Sequence, residues 1–452
     1  MILLKIAIQA GVSDCAVIKE LLSPWSVSFT GLHDAEVVIV YRQKPTELKN
    51  TIVIPSDENN FSTWSRKMRL QVDQKNSKPF SVAATPQITL FFTPEKRYCF
   101  NGSPNAVKNV ASDVLSYQDD TVVLKVDIVQ EFKVTIDKTL TPRQSIIHRI
   151  VTGLPIPYGL APTRLRDFLM KNNGGHESLS LCDKLPIDAL RYSLVNAIEL
   201  ASGKELEKRP LFNNHYVSML THDVESSHGL KRALFLKKVE EKYDVQSAWY
   251  VPSNRYKLDD NSIRQLSNHG EVGAHDTKHD GKLAHLSKEK ILKRVSEARD
   301  SLSQILKQPI DGFRAPILQH NQKILQALNE AGYKYDTSIP AWEPKHPYTM
   351  KPHGIGTIYP LTLGNLTEIP LTLPQDHQLL HVMGLDPKDV LKTWVTMTSE
   401  IRELGGVCMF LVHPDYEVAA NIDLYEELVR TIASDSKSTI TVPSRICAQM
   451  MM

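Results

Sequence analysis

Only five cysteines occur among the 452 residues, Cys15, Cys99, Cys182, Cys408 and Cys447, odd in number, scattered, and free of any CxxC spacing. That pattern excludes a disulfide framework and a thiolate zinc site, and it fits a reducing compartment. No apolar stretch approaches the roughly 20 residues that cross a bilayer, so no membrane span is expected. The opening Met1-Ile2-Leu3-Leu4-Lys5 has its apolar run broken by Lys5 and followed by Gln9 and Asp14. It therefore lacks the basic-then-apolar layout of a signal peptide, and the expectation is a soluble, cytoplasmic protein. An excess of charge of one sign is also missing, with 53 Lys and Arg against 51 Asp and Glu. The one dense basic stretch, Lys288 to Arg299, is interleaved with Glu289 and Glu297 and reads as a solvated helix face, so nucleic acid is not expected as a partner.

What is present is an ordinary globular composition, 42% hydrophobic and 23% charged, in a chain long enough for two domains. The first, residues 1–205, alternates apolar runs rich in β-branched and aromatic residues with polar turns: Ile2 to Ile8, Val37 to Tyr41, Thr51 to Pro55, Ile88 to Phe92 and Val122 to Ile136. These read as half-buried strands. Helical periodicity follows over Pro142 to Val151, Thr163 to Met170 and, most clearly, Ile187 to Ala201. The result is a separate α/β domain with no phosphate-cradling Gly-rich loop, metal cluster or internal repeat, for which no function can be read.

In residues 206–452 strands alternate with helices, the order of parallel βα units. Strands are expected at Val217 to Leu220, Ser247 to Val251, Glu271 to Ala274, Gly312 to Ala315, Leu366 to Leu371, Val407 to Val412 and Thr439 to Val442. Helices are expected at Leu230 to Tyr243, Asn261 to Asn268, Ser287 to Leu306, Asn321 to Ala331, Pro387 to Leu404 and Asp423 to Ala433. About seven such units suggest a distorted (β/α) barrel. Catalytic groups then belong just after the strands, at the C-terminal face.

Polar residues do cluster there: Thr221-His222-Asp223-Val224-Glu225, His275-Asp276-Thr277-Lys278-His279, Arg314-Ala315-Pro316, Tyr335-Asp336-Thr337-Ser338 and Leu411-Val412-His413-Pro414-Asp415. Histidines at i and i+4 can meet on one side of a helical turn and chelate a borderline metal. The strand ahead of His275 would place both imidazoles at the barrel mouth, and an upstream carboxylate would complete a His₂-carboxylate set with a position left open for water.

In order, strand-end placement and spacing these motifs resemble the polysaccharide deacetylases, the NodB-homology or carbohydrate esterase family 4 group, over about 240 residues. The resemblance does not extend to the N-terminal half. Family members commonly carry two adjacent aspartates in the first motif, base then metal ligand, whereas here Asp223 is followed by Val224 and Glu225. This is similar to a branch with an Asp-x-Asp or Asp-x-Glu motif, and alternation along a strand turns 223 and 225 to one side. Asp223 is accordingly read as general base and Glu225 as metal ligand, shared or reversed roles being the alternative.

The implied activity is hydrolysis of a non-peptide amide at one divalent ion, zinc by expectation, held by Glu225, His275 and His279. His413 would protonate the departing amine and Arg314 would orient Asp223. Asp336 matches a family motif near the acid histidine and would fix its tautomer. Glu368-Ile369-Pro370 and Asp376 fall where the related branch has substrate-side residues, though a polar loop explains them equally well. The substrate expected is an N-acetylated amino sugar. The alternatives are a small non-sugar amide, as in allantoinase-like members, and a non-catalytic carbohydrate-binding protein. Oligomeric state is not legible.

Overall fold

The computed structural model describes residues 3–41, 51–54, 89–92, 98–101, 115–118, 121–124, 127–142, 179, 181, 184–209, 216–344, 349 and 351–450. The chain divides into two compact units, one of residues 1–137 with 180–213 and one of residues 138–179 with 214–452.

The first unit is built on β1 (Leu4–Gln9), β2 (Val27–Phe29), β3 (Val37–Tyr41), β4 (Thr51–Ile54), a hairpin of β5 (Thr89–Phe92) and β6 (Tyr98–Asn101), β7 (Leu115–Gln118) and β8 (Thr121–Leu124). The main sheet runs β2-β1-β3-β4-β8-β7, parallel except for the β7–β8 pair. Helix Pro186–Ser202 agrees closely with its sequence reading. The segment Val122 to Ile136 does not: its strand ends at Leu124, and Ile128–Leu140 is a helix. The Asp127 side chain accepts the Gln130 amide at 2.9 Å, which starts the helix. Glu131, Lys133 and Thr135 alternate with Phe132, Val134 and Ile136 as a strand would, but the hydrophobic residues that are buried, Ile128, Val129 and Phe132, follow helical spacing, so packing overrides the local pattern. The Thr163 to Met170 helical reading, and that from Pro142 onward, lie outside the described residues.

In the second unit seven parallel strands lie side by side in the order β15 (Leu366–Glu368), β13 (Tyr335–Asp336), β12 (Gly312–Phe313), β11 (Glu271–Ala274), β10 (Ser247–Val251), β9 (Tyr216–Asp223) and β16 (Val407–Leu411). β14 (Leu361–Leu363) runs antiparallel on the β15 edge, and β17 (Ser438–Ile440) pairs with the start of β9. The fold is thus α/β with a curled, mixed sheet. Among the described residues no strand ladder joins β15 to β16. The seam is held instead by single bonds, the Met409 amide to Thr372 Oγ1 at 2.8 Å and the Val407 amide to the Ile358 carbonyl at 2.9 Å.

Every residue of β9, β10 and β16 is buried, as expected of parallel strands covered on both faces. Four of the flanking helices start on side-chain caps. Ser226, Asp259, Asn321 and Asn421 each accept an amide three residues on, satisfying donors that a helix leaves open. All parallel strands therefore end on one rim, and the polar clusters stand there.

Candidate active site

At the end of β9, strand alternation separates neighbours sharply. His222 turns into the packing behind the sheet, where it stacks on Trp249 and bonds to Glu240 Oε1 at 3.0 Å and the Val412 carbonyl at 2.9 Å. Asp223 turns to the opposite side, onto the rim. Its Oδ1 accepts from Arg314 Nη1 at 3.1 Å. Its Oδ2 lies 3.8 Å from His275 Nε2 and 3.9 Å from His413 Nε2. Burial pushes this carboxyl up, but His275, the Arg314 guanidinium and His413 together hold it below its ordinary value.

Arg314 is fully buried and held on every side. Besides Asp223 it donates to Thr221 Oγ1 at 3.0 Å and to Thr337 Oγ1 at 3.0 Å, and its guanidinium lies 4.3 Å from the centre of the Tyr250 ring. Gly273 makes room for that ring, since a Cβ there would stand 2.6 Å from it. The small residue in β11 and the arginine after β12 are thus parts of one stack.

Glu225, His275 and His279 bring one donor atom each within 4.8 Å of one another. His279 Nε2 is 2.8 Å from Glu225 Oε1, and the two imidazole rings are 4.9 Å apart. His275 donates Nδ1–H to the Arg314 carbonyl at 2.8 Å, so its Nε2 carries the lone pair. That Nε2 is buried with no hydrogen-bond partner among the described residues. Burial, opposed by Asp223, pulls the His275 pKa down to about 4, so it stays neutral. For Glu225 burial acts upward and is outweighed by the facing His279 and by His413 and Arg255, which leaves it well below its ordinary value. An ionised carboxylate beside a neutral, unpartnered imidazole nitrogen and a second imidazole is the donor chemistry a borderline dication takes. The histidines are not on a helix, contrary to the helical-turn reading. They sit on a loop in which Asp276 (φ 62°) and His279 (φ 51°) are left-handed.

His413 follows β16 and faces the same point, its Nε2 3.8 Å from Glu225 Oε1. Its Nδ1 is 2.5 Å from Asp376 Oδ1, and its backbone N–H donates to Asp376 Oδ2 at 2.8 Å. Burial pulls its pKa down but is overcome by Asp376, with Glu225 and Asp223 adding to it, and the balance lies at about 9. The partner that orients this imidazole is therefore Asp376 and not Asp336.

Asp336 lies one strand beyond Arg314 and accepts from the Ser338 hydroxyl at 2.5 Å. Its register neighbour is Glu368 on β15. The sequence reading missed Arg255, 3.6 Å from Glu225, and Tyr250 beneath the arginine. Neither carries a motif. The pairing of Gly273 with a bulky residue on the adjacent strand was the one available sign of Tyr250.

Residues 216–335 match the family described as polysaccharide deacetylase. No curated protein matches the chain by sequence. Similar solved structures include the peptidoglycan deacetylase PdaC from Bacillus subtilis, 16% identical, covering 52% of this chain and 91% of that one with a TM-score of 0.32. PuuE allantoinase is 13% identical, with 52% and 89% covered and a TM-score of 0.41. A CE4 family pseudoenzyme from Bacillus anthracis is 14% identical, with 51% and 65% covered and a TM-score of 0.34. Asp223, Glu225, His275, His279 and Arg314 all fall within the segment, residues 216–335, that matches the polysaccharide deacetylase family.

Proposed function

We propose that the protein is a metal-dependent hydrolase of a non-peptide amide that removes the acetyl group from an N-acetylated amino sugar, using an Asp-x-Glu form of the first motif. The observation that carries this reading is the meeting of three donors, Glu225, His275 and His279, beside an arginine-held aspartate and a carboxylate-held histidine. A divalent ion held by those three residues, zinc for this mixed nitrogen and oxygen set, supplies a Lewis acid that polarises a carbonyl and acidifies water.

The chain's own groups do the rest. Asp223 is kept ionised and fixed by Arg314, and it accepts the proton of an attacking water. His413 holds its Nε2 proton toward the same point, because Asp376 occupies Nδ1, and delivers it to the departing amine. An amine leaves poorly unless protonated, so base and acid are both needed. All the named groups fall within residues 206–452; residues 1–205 contribute none of them. The free Cys15, Cys408 and Cys447 fit a reducing, cytoplasmic setting, and no helix among the described residues is long and apolar enough to cross a membrane.

The test is acetate release by zinc-loaded protein across N-acetylglucosamine, N-acetylgalactosamine, their nucleotide-linked forms and short chitin oligomers, with allantoin as the non-sugar control. Release from at least one sugar, lost in His275→Ala and His279→Ala together with the bound metal, is the expected result. Turnover of allantoin alone would replace the sugar with a small amide. Full metal occupancy in both variants would overturn the ligand set.

A further inference from the structure

The loop between His275 and His279 is shaped by a residue remote in sequence. Arg294, on the helix Lys288–Leu306, reaches back with its whole guanidinium. Its Nε donates to Asp276 Oδ1 at 3.0 Å and its Nη2 to Asp276 Oδ2. Its Nη1 donates to both oxygens of Asp280 at 3.1 Å. Asp276 is the residue after His275, and Asp280 is the residue after His279.

The backbone there takes a course that L-residues rarely adopt, left-handed at Asp276 and again at His279. Such conformers persist where the surroundings over-determine them. Here the Asp276 carbonyl accepts from the Ser253 amide at 3.0 Å, the Thr277 carbonyl from the Asn254 amide at 2.8 Å, and the Gly281 carbonyl from Gln319 at 2.7 Å. These bonds fix each stretch of loop to its own neighbour. Arg294 alone, among the described residues, bonds to the residues that directly follow both histidines.

We infer that Arg294 is a positioning residue for the two imidazoles: its planar fork joins Asp276 to Asp280 and so sets the distance between His275 and His279. The inference rests on the metal reading proposed above. A planar, always-charged fork suits the task, and a lysine, with one compact charge on a flexible stem, does not reproduce it. Residues that orient ligands from behind commonly change metal affinity by about 10–100-fold when altered.

The experiment is a competitive zinc titration of chelator-stripped protein against a chromophoric chelator, with circular dichroism of the same metal-free samples. The wild type should bind about one zinc per chain, and Arg294→Lys should bind it more weakly by about 10-fold or more while keeping its far-UV spectrum. Because Arg294→Met alone leaves Asp276 buried without a cation, Arg294→Met is paired with Asp276→Asn. This folded double variant should show the larger loss, near 100-fold. Wild-type zinc affinity in both folded variants overturns the inference and leaves the metal site standing. Absence of zinc binding by the wild type overturns the metal reading itself, and the role of Arg294 with it.

Discussion

His413 and Asp376 are joined twice, ring to carboxylate at 2.5 Å and backbone amide to the same carboxylate at 2.8 Å. The double attachment sets both the tautomer and the place of the imidazole. His413 carries its proton through neutral pH and releases it as pH rises through about 9. As a proposed acid it must be protonated, so kcat/KM should fall on the alkaline side. Asp376→Asn removes the largest influence holding that proton, burial then dominates, and the alkaline limb should move to lower pH. His413→Ala should lose turnover by about 10²–10⁴-fold, and Asp376→Asn by less, since the ring remains. An unmoved alkaline limb in Asp376→Asn, read from a pH–rate profile, would assign the proton donation elsewhere.

A second outcome separates base from ligand. Asp223 is bonded to Arg314, while Glu225 stands against His279. Asp223→Asn should keep the metal and lose most turnover, whereas Glu225→Gln should lose the metal, a neutral amide being a far poorer ligand. Elemental analysis of the two purified variants decides it, and metal-free Asp223→Asn would reverse the roles.

Most strands and helices of the second unit were legible because their signals are local, apolar runs with turn residues between them, whereas the short edge strand Leu361–Leu363 and the helix Pro443–Met450 were not read. The histidine pair and the arginine, which sit at strand ends, were legible too. Asp376 was not, because nothing in its neighbourhood separates a carboxylate that reaches His413, 37 positions away, from one in a solvated loop. Asp336 was misplaced for the same reason. Its position after β13 is a local fact, but its partner on β15 is set by strand order. The helix at Ile128–Leu140 was read as strand because β-branched residues dominate it, a weak preference that packing and the Asp127 cap override.

Arg314 offers a test of stability. It and Asp223 are both buried, so removing the guanidinium strands a carboxylate in a poorly solvated place. Arg314→Met should cost about 3–5 kcal/mol, measured on metal-free protein by urea denaturation. Arg314→Lys should cost less, because an ammonium can still face Asp223, yet it cannot also hold Thr221, Thr337 and the Tyr250 face. Equal stability of wild type and Arg314→Met would show that the pair is not a structural contact of consequence.

The last expectation concerns Asp336 and Glu368, opposite each other on β13 and β15. Ser338 donates to Asp336 Oδ1 and the Ile339 amide to Glu368 Oε1, while Asp336 Oδ2 and Glu368 Oε2 are buried without a donor among the described residues. Burial raises both carboxyls, and Asp336 raises Glu368 further, so the pair is expected to hold one proton between them at neutral pH. Both folded-state values lie above the unfolded ones. The pair's contribution to stability is therefore complete below the ordinary carboxylate range, about pH 4, and is lost as pH rises through the raised values. In Glu368→Gln an amide N–H replaces the shared proton and does not titrate. The stability of wild type relative to this variant should accordingly decline from pH 5 to pH 8, with other titrating groups cancelling in the difference. Denaturation midpoints of the two proteins at several pH values measure it, and a difference that stays constant would mean that the two carboxyls do not share a proton.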